Sequence, residues 1–182
     1  MDNKEAVNLA VRYFALIVIG LFHKQIFNFI FTPLTYWPVV GILSVFYDNV
    51  TSLPGNVISY ANVYARIISA CVAGAAYYLL LILNLTTPMK AIKRLWSIVF
   101  LMALFLVLNI LRIVIFAGIA TGGGNFFDVA HMVMWYFGST IMVVLIWFLT
   151  VGLFKIKEIP VYTDMKSLYG DAVPGRSHKR KR

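Results

Sequence analysis

Long runs of apolar residues, separated by short polar stretches, dominate this chain. Three of them lie at 67–85, 95–118 and 130–154, and together they contain a single Lys or Arg. A helix that crosses the hydrocarbon core of a bilayer needs about 20 mostly apolar residues. The pattern therefore predicts three transmembrane helices in the C-terminal two thirds of the chain.

The N-terminal third is also apolar, but its polar interruptions allow two interpretations. It forms either one long helix interrupted by His23 and Lys24, or a first helix that ends near Leu21 and a second element after it. Pro33 and Pro38 favour a second element that is broken or re-entrant, because proline disrupts helix hydrogen bonding. We therefore predict an all-α integral membrane protein, a polytopic bundle of about five transmembrane helices, with four as the open alternative.

The distribution of basic residues predicts the orientation of these helices. The segment 86–96 contains three basic residues, 119–130 contains none, and the C-terminal segment 155–182 contains eight of the sixteen in the chain. Cytoplasmic loops carry an excess of Lys and Arg. We therefore expect a membrane domain at 1–154 and a basic cytoplasmic tail at 155–182, with 119–130 on the outer side.

Composition supports a membrane environment and argues against nucleic acid as a partner. Hydrophobic residues make up 61% of the chain and charged residues 13%, whereas soluble domains carry about 45–50% and about 25%. The net charge of +9 comes largely from the tail, where contact with anionic lipid headgroups is the simplest explanation. We expect membrane lipids as partners and no nucleic acid. The N-terminus lacks the pattern of a cleavable signal peptide.

Three chemically reactive side chains are predicted at the same depth. Cys71 lies thirteen residues before Asn84, the inner end of its helix, and therefore about 20 Å above it. Arg112 lies sixteen residues after Trp96, about 24 Å above that inner end. His131 begins the last helix at the outer boundary. In a hydrocarbon layer about 30 Å thick, all three residues belong to the outer part.

Two further polar residues have spacings that would support these side chains. Asn109 precedes Arg112 by three residues, so both point from the same helix face. Asp128 precedes His131 by three and would hold its imidazole in one tautomer if the helix begins early enough.

Each reactive residue also has a simple structural explanation. A buried cysteine usually acts as a small apolar side chain, an arginine near a helix end extends to the headgroups, and a boundary histidine is an ordinary interfacial residue. The common depth favours function, since ionisable residues inside spans usually face a cavity.

Cysteine, histidine and arginine together suit acyl transfer. The thiolate is the nucleophile, and positive charge nearby favours it. We expect Cys71 to attack a peptide carbonyl and His131 to act as general base and then acid. Arg112 would stabilise the oxyanion or orient the substrate. A thioester would form and be resolved by an amine, a hydroxyl or water, without a cofactor, in an active site that faces outward.

The motifs that carry these residues resemble those of the exosortase/archaeosortase family of membrane-embedded transpeptidases. They are "SACVAGAAYYLLLILNL" at 69–85, "NILRI" at 109–113 and "FDVAHMVMWYFG" at 127–138. The resemblance covers about residues 25–155. It implies that Cys71 is the nucleophile, Arg112 the essential arginine, and His131 the position that is His or Arg across the family.

This resemblance implies a substrate class, and the chain also departs from the family pattern. Family members act at the outer face of the plasma membrane on proteins with a C-terminal tripartite sorting signal, which comprises a short motif, a transmembrane helix and a basic end. They pass the cleaved protein to a lipid or envelope acceptor. Many have an acidic residue before Ala-Cys and Ser/Thr-Gly after it, whereas here Ser69 precedes and Val72, Ala73 and Gly74 follow. The chain is little longer than the family's core.

Two alternatives remain open at the level of sequence. In a non-catalytic membrane scaffold or assembly protein, Arg112 would pair with an acidic group of a partner and Cys71 would only fill space. In a b-type haem protein, His23 and His131 would be the axial ligands, although their predicted depths differ. Thiol reactivity tests the first alternative, and an absorbance spectrum tests the second.

Overall fold

The structure is a computed structural model that describes residues 3–122 and 125–156, and most of them are helical. A π-helical turn at Met134–Gly138 joins the last two helices. The helices, in chain order, are α1 Asn3–Phe46, α2 Ser69–Val72, α3 Gly74–Thr86, α4 Ala91–Thr121, α5 Asn125–Val133 and α6 Ser139–Leu153. Nearly all of the predicted basic tail, residues 157–182, lies outside the described residues.

Three helical segments are long and apolar enough to cross a membrane. They are Ala10–Phe46 in α1, Ser69–Thr86 in α2 and α3, and α4. The apolar helix α6 has 15 residues and continues the α5 helix beyond the π turn. Within the described ranges, the predicted bundle of five spans is thus represented by three candidate spans and a shorter apolar helix.

The N-terminal third forms one continuous helix, so the predicted break near its prolines is wrong. Helix α1 has 44 residues and contains both Pro33 and Pro38. Both prolines are exposed, on the side away from the core. Buried side chains repeat every four residues on the opposite side across both prolines, at Phe27, Phe31, Thr35, Val39 and Leu43. Packing of this stripe outweighs the local loss of hydrogen bonds, as neighbouring helices commonly allow in membranes.

A small antiparallel sheet follows α1, so the expectation of an all-α fold is incomplete. Its strands are β1 Thr51–Leu53, β2 Val57–Tyr60 and β3 Val63–Arg66, in the order β1-β2-β3. The two residues between β2 and β3 have positive φ angles of 45° and 61°, which is the geometry of a tight hairpin turn. The sequence pattern predicted no strands here, because each strand is too short for a clear alternation.

The sheet packs on the end of α4 and the helices enclose the core. Ile58 and Tyr60 are buried, and the Tyr60 hydroxyl donates a hydrogen bond to the Ala117 carbonyl at 3.1 Å. Deeper in the bundle, Tyr77 on α3 contacts Phe105 on α4 edge to face, with ring centroids 4.6 Å apart. Helices α2 and α3 are therefore held between α1 and α4, with the α2 end next to the sheet.

Candidate active site

Cys71 lies on a single helical turn that ends in a left-handed residue. The predicted continuous helix over 67–85 is broken, because α2 stops at Val72 and Ala73 adopts φ 57° and ψ 43° before α3 begins. For an L-residue other than glycine, this conformation costs about 1–2 kcal/mol. Such strain persists only where the surroundings enforce it, and it is concentrated at functional sites.

Two asparagines hold this turn from opposite helices. The Asn109 side chain of α4 donates from Nδ2 to the Cys71 carbonyl at 2.9 Å. The Asn28 side chain of α1 donates to the Ser69 hydroxyl at 3.1 Å. Asn109 is fully buried, and its Oδ1 has no hydrogen-bond partner among the described residues. Asn109 therefore fixes the backbone of the cysteine turn rather than bonding within its own helix.

Arg112 lies one turn beyond Asn109 on α4 and faces the same region. Its Nη1 donates a hydrogen bond to the Ser139 hydroxyl at 2.8 Å, at the start of α6. Arg112 and Cys71 line the same cavity. The Arg112 side chain is half-buried. Arg112 thus joins α4 to α6 through Ser139, a contact that no sequence pattern indicated.

His131 lies on α5 with its ring against α4. The imidazole contacts Phe116 edge to face, with ring centroids 5.6 Å apart and planes at 87°. The side chain is exposed. Helix α5 begins at Asn125, early enough to include Asp128 three residues before His131. The Asp128 side chain itself lies outside the described part of the chain, so its predicted support of the imidazole stays a prediction.

One cavity joins the three predicted catalytic residues. It has a volume of about 790 Å³, and Cys71, Arg112 and His131 all line it. Its walls come from β3, from α2 and the segment that leads into it, from the C-terminal part of α4, and from α5 with the π turn. Small-molecule and peptide sites are usually apolar clefts of about 300–1,000 Å³ with a few polar groups. The arrangement therefore suits a bound ligand that reaches all three side chains.

A second arginine, not predicted from the sequence, lines this cavity. Arg66 is the last residue of β3, it is exposed, and it lines the cavity together with Tyr64. Its position five residues before Cys71 was a signal, but the sequence pattern predicted no element that would give it a defined place. By contrast, His23 of the haem alternative is not among the residues that line this cavity, and its Nδ1 lies 2.7 Å from the Gly20 carbonyl oxygen.

Comparisons with protein-family models, with curated proteins and with solved structures found no match to this chain. Any function proposed for this chain therefore rests on the geometry of the cavity and on the chemistry of its residues.

Proposed function

We propose that this protein is a membrane-embedded cysteine transpeptidase or peptidase that cleaves C-terminal sorting signals. The observation that carries the proposal is the meeting of Cys71, Arg112 and His131 on the wall of one cavity. These residues come from α2, α4 and α5, three separate helices of the fold. Ionisable groups within membrane helices usually mark a functional cavity.

The reaction would proceed through a thioester. His131 takes the thiol proton, and the Cys71 sulfur attacks the carbonyl carbon of the scissile peptide bond. Arg112 stabilises the negative charge that develops on the carbonyl oxygen. The leaving amine receives the proton back from His131 as the C–N bond breaks. An amine or hydroxyl of a lipid or envelope acceptor, or water, then attacks the thioester and releases Cys71.

The proposal also assigns a place in the cell. The protein would lie in the plasma membrane as a bundle of four spans, the alternative that the continuous helix α1 favours. The cavity would lie on the outer side and the basic tail in the cytoplasm. A sorting signal whose motif precedes a transmembrane helix presents that motif at the membrane surface. A cavity near the outer end of the helices would meet the motif there, without drawing the substrate into the bilayer.

Replacement of Cys71 tests the proposal directly. The full chain and its Cys71→Ala variant would be co-expressed with membrane proteins of the same genome that end in a short motif, an apolar helix and a basic cluster. We expect the native chain to shorten at least one of them, and Cys71→Ala to shorten none while it still inserts into the membrane. Equal shortening by both chains would reject the assignment.

Thiol chemistry separates the enzyme from the non-catalytic scaffold. Cys71 is the only cysteine, so alkylation of the native chain by iodoacetamide reports this thiol alone. We expect alkylation at neutral pH at least about tenfold faster in the native chain than in Arg112→Gln, because positive charge favours the reactive thiolate. A slow rate that is the same in both chains would favour the scaffold.

A further inference from the structure

The strand β3 is an unpaired edge beside the cavity. In the sheet order β1-β2-β3, no strand of the described ranges 3–122 and 125–156 pairs with its outer side. Tyr64, Ala65 and Arg66 all line the cavity. Successive side chains of a strand point to opposite faces, so a cavity that contacts all three residues runs along the edge of the strand.

The hydrogen-bond pattern identifies the backbone groups that face outward. Tyr60 and Val63 are opposed across the two-residue turn, and the Ile67 amide donates to the Asn56 carbonyl at 2.9 Å. In an antiparallel pair, residues that bond across the ladder alternate with residues that do not. The alternation therefore directs the amide and carbonyl of Tyr64 and of Arg66 away from β2, toward the cavity.

The side chains at this edge add charge to the backbone groups. Tyr64 and Arg66 lie on the exposed face of the sheet. Arg66 and Arg112 contribute two guanidinium groups to the cavity, and none of its described lining residues is acidic. A peptide that binds here thus meets a row of backbone donors and acceptors and a locally positive field.

We propose that the substrate segment next to the scissile bond binds as an added strand on the free edge of β3 and places an acidic side chain against Arg66. This inference rests on the proposed function and deepens it by naming the form and charge of the substrate. Strand addition uses main-chain hydrogen bonds for affinity and alternate side chains for selectivity. Cys71 follows Arg66, the last residue of β3, by only five residues. A substrate strand paired with β3 would therefore extend toward the Cys71 sulfur.

Peptide probes with a thiol-reactive group test strand addition. The probes are pentapeptide vinyl sulfones of alanine, unmodified or with one amide N-methylated at each position in turn, and the readout is the rate of Cys71 labelling in the full chain in lipid. We expect N-methylation to slow labelling roughly tenfold at alternate amides only, because one loses a hydrogen bond to the edge and the next faces away. Equal effects at all positions, or none, would overturn the strand addition.

A second series of probes tests the acidic side chain. Glutamate is placed at each position in turn and compared with glutamine. We expect one position where glutamate accelerates labelling about tenfold, as a charge-assisted hydrogen bond would. Arg66→Gln should abolish this preference, and Arg66→Glu should transfer it to lysine at the same position. A glutamate preference that survives both substitutions would overturn the assignment of Arg66.

Iodoacetamide provides the control that separates the two proposals. This reagent is too small to pair with a strand, so its rate depends on the Cys71 thiol alone. If iodoacetamide alkylates Cys71 rapidly while the peptide-probe rates do not depend on backbone methylation or charge, the reactive cysteine is supported and the added strand is rejected. Slow alkylation by iodoacetamide that Arg112→Gln leaves unchanged would reject the proposed function itself, and the substrate inference with it.

Discussion

At the scale of single residues, the candidate site combines groups that are costly to place in a membrane. Arg112 is half-buried and its known hydrogen bond goes to a neutral hydroxyl, that of Ser139. A guanidinium has five donors in a planar fork, so this bond leaves donor capacity for a further anionic partner. In the proposed mechanism one group would contact both α6 and the oxyanion, which arginine suits better than lysine.

Arg112→Lys is expected to separate charge from geometry. Lysine retains the charge but lacks the planar fork, so it cannot hold Ser139 and an oxyanion in the same way. We expect turnover of a processed substrate to fall about 100-fold, the typical cost of losing one oxyanion donor. The matched variant Ser139→Ala keeps the guanidinium and removes only the hydroxyl that accepts its hydrogen bond. Turnover in this variant should therefore fall less, about tenfold. Full activity of Arg112→Lys would show that charge alone is sufficient.

The spacing of Asn109 along its helix predicts which way its side chain points, but it does not predict the residue that the side chain contacts. Its spacing from Arg112 predicted a shared helix face. Asn109 does bond to α2, and Arg112 lines the same cavity as Cys71 of α2. The bond from Asn109 to the Cys71 carbonyl depends on the rotation and distance of two helices. Those quantities are set by packing between elements far apart in sequence, so no local pattern contains them.

At the scale of elements, the break between α2 and α3 is the feature that presents Cys71. The turn is held by Asn28 and Asn109 from two other helices, and its last position is the strained Ala73. The sequence Cys71-Val72-Ala73 has no glycine or proline, the residues that usually mark an interruption. The apolar run therefore predicted one uninterrupted helix. The chain is instead interrupted at Ala73, where side chains of α1 and α4 hold the preceding turn.

Ala73→Gly is expected to stabilise the protein. Glycine removes a backbone strain of about 1–2 kcal/mol but adds unfolded-state freedom worth about 0.4–1 kcal/mol, so the net gain should be roughly 0.5–1 kcal/mol. The matched variant Ala76→Gly lies in the regular helix α3 and should instead lose about 1 kcal/mol. Reversible unfolding in detergent measures both. A similar loss in the two variants would contradict the left-handed conformation of Ala73.

At the scale of the whole molecule, the composition and the long helices agree on a membrane environment. Large apolar side chains remain exposed on the outer surfaces, among them Phe29, Val45 and Phe148. In water such a surface would drive aggregation, whereas lipid covers it at no cost. The orientation in the membrane follows only from the distribution of basic residues and is open to a direct test.

The single cysteine allows that test in whole cells. A membrane-impermeant maleimide is expected to label Cys71 in intact cells, because the proposed site faces outward. The control combines Cys71→Ala with Lys90→Cys, an exposed position between α3 and α4, which should label only after the membrane is permeabilised. Gel shifts of the purified protein report both. The reverse pattern would invert the topology and remove the proposed access to sorting signals at the outer face.

The amino-acid sequence alone indicates a membrane environment for this protein and predicts a common depth for its reactive residues. Apolar run length sets which segments can span a bilayer, and a constant rise per residue predicts how far Arg112 lies along its helix. The same count for Cys71 assumed one helix over 67–85, whereas the chain leaves the helical conformation at Ala73. Tertiary packing sets the course of α1 through both prolines, leaves an edge of β3 that no described strand pairs with, and brings Cys71, Arg112 and His131 around one cavity. The physical reason is that position along a helix is a local property, whereas rotation, strand pairing and helix breaks depend on packing between distant parts of the chain.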